Sequence, residues 1–311
     1  MVSETDVTIV EVGPRDGLQS VPQAMPTAAK RRWIDALAAA GLRHIQVGSF
    51  VSPRALPQMA DCAEVVEHAL SVPNLRVSVL APNLRYAEAA LDAGAHAVTI
   101  PVSVSEPHSI ANIRKTHDEI VDDVRAIVEL RDERRPGTEI EVGLATSFGC
   151  TIQGVVPEDD VLRMAHRVAE CRVDSIHPAD TVGFAGPAQI RSLVPRLRDE
   201  VGELLAGIHL HDTRGQGLAN VVASLDVGIR AFDSSHGGLG GCPYAPGATG
   251  NIVTEDLVFL LESMGLRTGI DVEALVGARA ILAAGLPEAE LHGHLAGAGL
   301  PKGFAAATAA A

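Results

Sequence analysis

Two histidines separated by one residue, His209 and His211, lie at the end of a short apolar run and project to the same side if that run is a strand. Asp16, at the end of another such run, and Asn251, at the end of a glycine-rich segment, add a carboxylate and an amide oxygen. Together they form a mixed nitrogen and oxygen donor set that suits an octahedral Mg²⁺ or Mn²⁺ with open positions better than a closed thiolate zinc site. A His-x-His alone fits a hydrogen-bonded core pair equally well. The segment Gly237–Asn251, GGLGGCPYAPGATGN, carries six glycines, two prolines, one cysteine and no charge. Such a run cannot make an ordinary helix. It reads either as a mobile lid carrying Cys242 or as a flexible surface turn.

These groups need a scaffold that brings distant strand ends together. Candidate strands Val7–Gly13, His44–Gly48, Arg76–Ala81, Ala97–Val102, Glu139–Thr146, Ser175–Ala179, Gly207–His211 and Ala231–Ser235 alternate with helical stretches. The helices begin near Thr27, Met59, Leu84, Ile110, Pro157, Gly186, Gly217 and Thr254. Eight strand–helix units predict an α/β fold of the (β/α)₈ type, a TIM barrel spanning about residues 7–268. Extra C-terminal helices over about 269–304 are expected near the barrel mouth. A doubly wound open sheet is the alternative. No Pro/Ser-rich linker divides the chain, so residues 1–311 read as a single catalytic domain. In a barrel the C-terminal strand ends carry the chemistry. They gather Arg15, Asp16, Gln46, Ser49, Asp180, Thr181, His209, His211 and the segment with Cys242 and Asn251.

The 311 residues are 47% hydrophobic and 21% charged, enough to bury a large core, and the formal charge is −14. That charge argues against nucleic acid or an anionic membrane surface as the partner. No basic-then-apolar leader and no membrane-length apolar run occurs. Four cysteines without CxxC pairing fit a reducing, cytoplasmic setting. Cys62 and Cys171 read as small core residues; Cys150, after a strand end, reads as packing, with approach to the site as the alternative.

VEVGPRDGLQ (Val10–Gln19), SFVSP (Ser49–Pro53), ADTVG (Ala179–Gly183), HLHDTRGQGLAN (His209–Asn220) and GLGGCPYAPGATGN (Gly238–Asn251) resemble 3-hydroxy-3-methylglutaryl-CoA lyase over about residues 7–270. The related isopropylmalate and homocitrate synthases share the Arg-Asp and His-x-His but carry a GERxGN-like segment in place of the cysteine segment. The resemblance implies a divalent metal on Asp16, His209, His211 and Asn251, with Arg15 and Cys242 catalytic. It implies cleavage of a 3-hydroxyacyl-CoA to acetyl-CoA and a keto acid, with Arg15 holding the developing enolate oxygen and Cys242 protonating the enolate carbon. Asp180 and Thr181 would position the substrate hydroxyl or join a proton relay, although Asp180 also reads as a capping residue. Gln19, Gln46, Ser49, Asn112, His177 and His236 are expected to contact substrate. Arg114, Lys115 and Lys302 are candidates for the coenzyme A phosphates or are simply solvated, and Glu11 is expected to pair with a neighbouring barrel cation. The chain departs from the family's pattern at Gln46, where Glu is usual, at Ser20-Val21-Pro22, and at His177 and His236, where small or apolar residues are usual. These departures leave the acyl group open. A condensing acyltransferase is the alternative reading, and a binding protein without turnover a third. The acyl-CoA is the expected partner, within a homo-oligomer (a dimer).

Overall fold

A computed structural model of the chain describes residues 5–240 and 250–307. Eight parallel strands run in the order β6-β5-β4-β3-β2-β1-β8-β7. They are β1 (Thr8–Glu11), β2 (His44–Ser49), β3 (Arg76–Leu80), β4 (Ala97–Ser103), β5 (Glu139–Ala145), β6 (Ser175–Pro178), β7 (Ile208–His209) and β8 (Ala231–Ser234). The ends of that order meet through parallel bridges between Ile176 and Leu205 and between Ala179 and His209. The Asp180 amide donates to the His209 carbonyl at 2.9 Å, so the sheet closes into the TIM barrel that the strand–helix alternation predicts.

The helices form the outer ring. In chain order they are α1 (Thr27–Ala39), α2 (Cys62–Leu70), α3 (Leu84–Asp92), α4 (Glu106–Ile113), α5 (His117–Arg134), α6 (Glu158–Ala169), α7 (Pro187–Val201), α8 (Gly217–Asp226) and α9 (Thr254–Ser263). Strand apolar residues pointing outward meet their inner faces: Ile45, Val77, Ile100, Val142, Ile176 and Phe232 are fully buried. The single stretch predicted after β4 divides into two helices. Arg114 takes a left-handed conformation (φ 58°) at the end of α4, and a Thr116–Glu119 capping box starts α5.

Two further helices, α10 (Val272–Gly285) and α11 (Leu295–Ala298), follow the barrel. α10 packs on α1 and α9, and α11 packs on α9. The segment between them returns to the turn after β8, where the His292 amide donates to the Gly237 carbonyl at 2.8 Å. No helix among the described residues is long and apolar enough to cross a membrane.

Candidate active site and metal centre

Just after β1 the backbone winds one π-type turn, Gly13–Gly17, with Pro14 at its second position. The Asp16 and Gly17 amides both point back to the Val12 carbonyl, at 2.7 and 3.4 Å. Such wide turns recur at functional sites because they redirect side chains that a strand would alternate. Here the turn delivers Arg15 and Asp16 to one cavity wall, each no more than 9% exposed, as an ion pair between Arg15 Nη1 and Asp16 Oδ1.

Opposite them, β7 ends at His209 and the chain continues through Leu210 to His211. Leu210 is fully buried in the outer core, while both imidazoles line the cavity with Nε2 atoms 3.0 Å apart. His209 Nδ1 pairs with Asp233 Oδ2 at 3.0 Å, a carboxylate that fixes the ring and leaves Nε2 for the cavity. An antiparallel bridge joins His211 to Asn251, so backbone pairing sets these two side chains beside each other. Asn251 Nδ2 donates to Asp16 Oδ2 at 2.7 Å, while its Oδ1 is buried with no partner.

The four groups fit a divalent ion. Two ligand atoms in adjacent octahedral positions about 2.1 Å from an ion lie about 3 Å apart, the separation of the two imidazole nitrogens. Asp16 Oδ2 stands 3.9 Å from His211 Nε2, and the unpartnered Asn251 Oδ1 is a further oxygen donor. Asp16, His209 and His211 are the described group of acidic and imidazole side chains whose ligand atoms converge. Electrostatics support the set. Burial opposes ionisation of Asp16, but the Arg15 guanidinium and both histidines outweigh it and hold the carboxyl near about 2. Burial, then the neighbouring His209, pushes His211 down to about 3, so it presents a neutral lone pair. Burial would also lower His209, but the Asp233 hydrogen bond and charge raise it above the ordinary imidazole value.

The cavity above these groups measures about 480 Å³, the size of a small-molecule site. Gln19, Gln46, Asn112, His177 and Thr181 line it as well. Gln46 Oε1 accepts from Arg15 Nε, and Gln19 Nε2 donates to Asp16 Oδ1 at 3.3 Å. His177 belongs to the barrel interior rather than the lid region, paired with Ser175 Oγ at 3.0 Å. Asn112, on α4, is exposed at the cavity rim.

Three sequence expectations are corrected. His236 is fully buried outside the cavity, with Trp33 Nε1 donating to its Nδ1 at 3.0 Å and Leu275 O 2.8 Å from its Nε2. It continues the outward phase of Phe232 and Ser234, opposite to the cavity-lining Asp233, into the layer between α1 and α10. Ser49 is 1% exposed and does not line the cavity, although the register shift between Gln46 and Gly48 pairs it with the cavity-lining Leu80; its Oγ is buried without a hydrogen-bond partner. Asp180 caps its own loop through Oδ1, which accepts from the Phe184 and Ala185 amides at 2.7 and 3.2 Å, while its Oδ2 is buried without a hydrogen-bond partner. Burial raises this carboxyl to about 6. Glu11, the third, meets no cation among the described residues; it accepts from the Gly13 and His236 amides and from Thr254 Oγ1. Among the candidate phosphate contacts, Lys115 is held by Asp123, while Arg114 and Lys302 are exposed.

Cys242 lies outside the described residues. The chain on either side of that segment is described, and it abuts at the site: a Cβ on Gly250 would sit 1.8 Å from the Gly240 carbonyl oxygen. Only glycine permits that approach. Asp233, missed in the sequence reading, was visible as a carboxylate set inside an otherwise apolar and hydroxyl strand, AFDSS.

Comparison with known proteins agrees with this geometry. The HMGL-like family model matches residues 6–282. The chain is 42% identical over 273 residues to the 3-hydroxy-3-isohexenylglutaryl-CoA/hydroxymethylglutaryl-CoA lyase of Pseudomonas aeruginosa, covering 88% of this chain and 90% of that one. It is 38% identical to the (R)-citramalyl-CoA lyase of Chloroflexus aurantiacus, covering 90% and 91%. The crystal structure of an HMG-CoA lyase from Acinetobacter baumannii in complex with coenzyme A and 3-methylmalate superposes with a TM-score of 0.91 at 36% identity, over 98% and 99% of the two chains. With the Arg-Asp turn and the paired imidazoles set on a matching barrel, the chain belongs to the HMGL-like family and is a carbon–carbon lyase.

Proposed function

We propose that this lyase cleaves 3-hydroxy-3-methylglutaryl-CoA, or a closely related 3-hydroxyacyl-CoA with a terminal carboxylate, to acetyl-CoA and a keto acid, acetoacetate in the first case. The observation that carries the reading is the convergence of Asp16, His209, His211 and Asn251 Oδ1 under a cavity walled by Arg15. The donor set of oxygen and imidazole nitrogen favours Mg²⁺ or Mn²⁺. A divalent ion bound there supplies Lewis-acid polarisation of substrate oxygens.

The protein's own groups account for the rest. Arg15 is clamped by Gln46 and Asp16, and its Nη2 has no partner among the described residues, so fixed donors remain for an enolate oxygen. Thr181 Oγ1 accepts from the Thr146 amide at 2.8 Å and stands on the wall, with Gln19, where the substrate hydroxyl would be oriented. Asp180 holds that loop through Oδ1, and its unpartnered Oδ2 is left to position the hydroxyl or join a proton relay. Cys242 is the proposed acid for the enolate carbon, on a segment whose ends meet beside Asn251.

A different acyl group is the second reading, favoured by the neutral Gln46 beside Arg15 and by the mixture of substrates named for the relatives. We further read residues 1–311 as one catalytic domain acting in the cytoplasm as a homo-oligomer (a dimer). Buried free thiols at Cys62, Cys150 and Cys171 support a reducing compartment. Mass analysis of products from a panel of 3-hydroxy-3-methylglutaryl-CoA, its isohexenyl analogue and citramalyl-CoA tests the assignment. Acetyl-CoA release from the first is expected; net consumption of acetyl-CoA with a keto acid would point to a condensing enzyme.

A further inference from the structure

A line of hydrogen bonds leaves the site and runs down the barrel wall. Arg15 Nε donates to Gln46 Oε1, and Gln46 Nε2 donates to Thr99 Oγ1 at 2.9 Å. Thr99 Oγ1 in turn donates to Glu141 Oε2 at 2.9 Å, and the other Glu141 oxygen accepts from Arg76 Nη2 at 2.8 Å. Thr99 and Glu141 face each other directly in the β4–β5 register.

The polarity of this line is set from its far end. A carboxylate paired with a guanidinium can only accept. The single Thr99 proton is therefore spent on Glu141, and the Thr99 oxygen is left as an acceptor. Gln46 must then turn its NH₂ toward Thr99 and its carbonyl toward Arg15. The flipped amide would place two donors against each other at Arg15 Nε and two acceptors against each other at Thr99, losing both bonds.

We infer that Thr99 and Glu141 are positioning residues for the reaction: through Gln46 they fix the direction in which Arg15 presents its guanidinium to the cavity. A carboxylate at position 46 could accept from Arg15 unaided, and a neutral amide needs this second layer to be oriented. The inference rests on the reading of Arg15 as a catalytic group.

The test compares Thr99→Val, Thr99→Ser, Arg15→Lys and the Arg15→Lys/Thr99→Val double variant, each verified as folded and metal-loaded, on the acyl-CoA that the parent turns over. Thr99→Val keeps the shape and removes the hydroxyl; kcat should fall about 10–100-fold, as for loss of a partner that orients a reacting group, with KM within about twofold. Thr99→Ser should restore kcat to within about threefold of the parent, since it keeps the donor and acceptor. In the Arg15→Lys background the valine should cost no more than about threefold further, because Thr99 acts through the guanidinium that is already gone. A valine variant as fast as the parent, a serine variant as slow as the valine one, or the same valine loss without Arg15 would each overturn the relay. An Arg15→Lys enzyme with parental turnover would remove the role of Arg15 itself and the relay with it.

Discussion

At Asp16, burial and charge pull in opposite directions, and the charge wins: Arg15 and the two imidazoles hold the carboxyl near about 2 although the group is almost wholly enclosed. An anion that expensive to bury is kept where a cation is to be received. Asp16→Ala should therefore weaken Mn²⁺ or Mg²⁺ binding by more than the about 10–100-fold lost with an outer partner of a metal ligand. Calorimetry on the metal-free protein reads this directly, and an unchanged affinity would remove Asp16 from the ligand set. Cys242 is separable from that set. Cys242→Ser should leave metal affinity intact while turnover drops about 10²–10⁴-fold, the range for a lost general acid. Alkylation followed by mass spectrometry gives the companion measurement: activity should decay with modification at Cys242. Cys62, Cys150 and Cys171 are buried, and burial pushes the Cys62 thiol up to about 12, so little thiolate is available there.

The elements show which parts of this arrangement a sequence can carry. Each expected strand run overlaps an observed strand, though Val7–Gly13 and Gly207–His211 shorten to Thr8–Glu11 and Ile208–His209, and the helix starts at Thr27, Leu84, Gly217 and Thr254 coincide with the observed ones, because packing against one shared core imposes those periods. His209 and His211 were legible for the same reason: a two-residue spacing on a strand can only project to one side. His236 was not. It follows β8 by two residues, as His211 follows β7, but β7 ends on the cavity-lining His209 while β8 ends on Ser234, one residue past the cavity-lining Asp233, so alternation puts His236 on the outer face. That phase is legible only once Asp233 is known to face the cavity. Asp233 and Glu141 escaped because charged side chains inside a barrel obey the same alternation as charged side chains facing solvent. The position of His236 predicts a stability role. His236→Ala strands the Trp33 indole N–H and opens a cavity between α1 and α10, and should cost about 2–4 kcal/mol in denaturant unfolding. Turnover per folded molecule should match the parent; a large loss in kcat would return His236 to the substrate site.

Across the whole molecule, the long-range joint between the first strand and the last is made by a carboxyl group. Glu11 at the end of β1 binds the Gly13 and His236 amides and Thr254 Oγ1, so it ties β1 to the turn after β8 and to the start of α9. Glu255, beside it, is taken up by Arg279 at 2.6 Å and by the Gly237 amide. Burial pushes the Glu11 carboxyl up to about 8 despite those three hydrogen bonds, and the charge of Glu255 adds to the rise. In the unfolded chain the same group titrates near the ordinary glutamate value of about 4.3. Between those two values the folded chain holds a proton that the unfolded chain has lost. The stabilisation is complete below the lower value and disappears as pH climbs through the upper one, with a slope of at most about 1.4 kcal/mol per pH unit. Glu11→Gln keeps the shape of the protonated acid and cannot titrate. Its unfolding free energy minus that of the parent should therefore rise steadily from pH 5 to pH 8, the variant becoming the relatively more stable protein, and level off above that. Urea unfolding of both proteins at one-unit intervals provides the comparison, with metal absent so that ligand linkage does not enter. A difference that stays flat across the interval would mean that Glu11 is already ionised in the folded barrel, and that the joint between β1 and β8 is held by a charge rather than by a neutral acid.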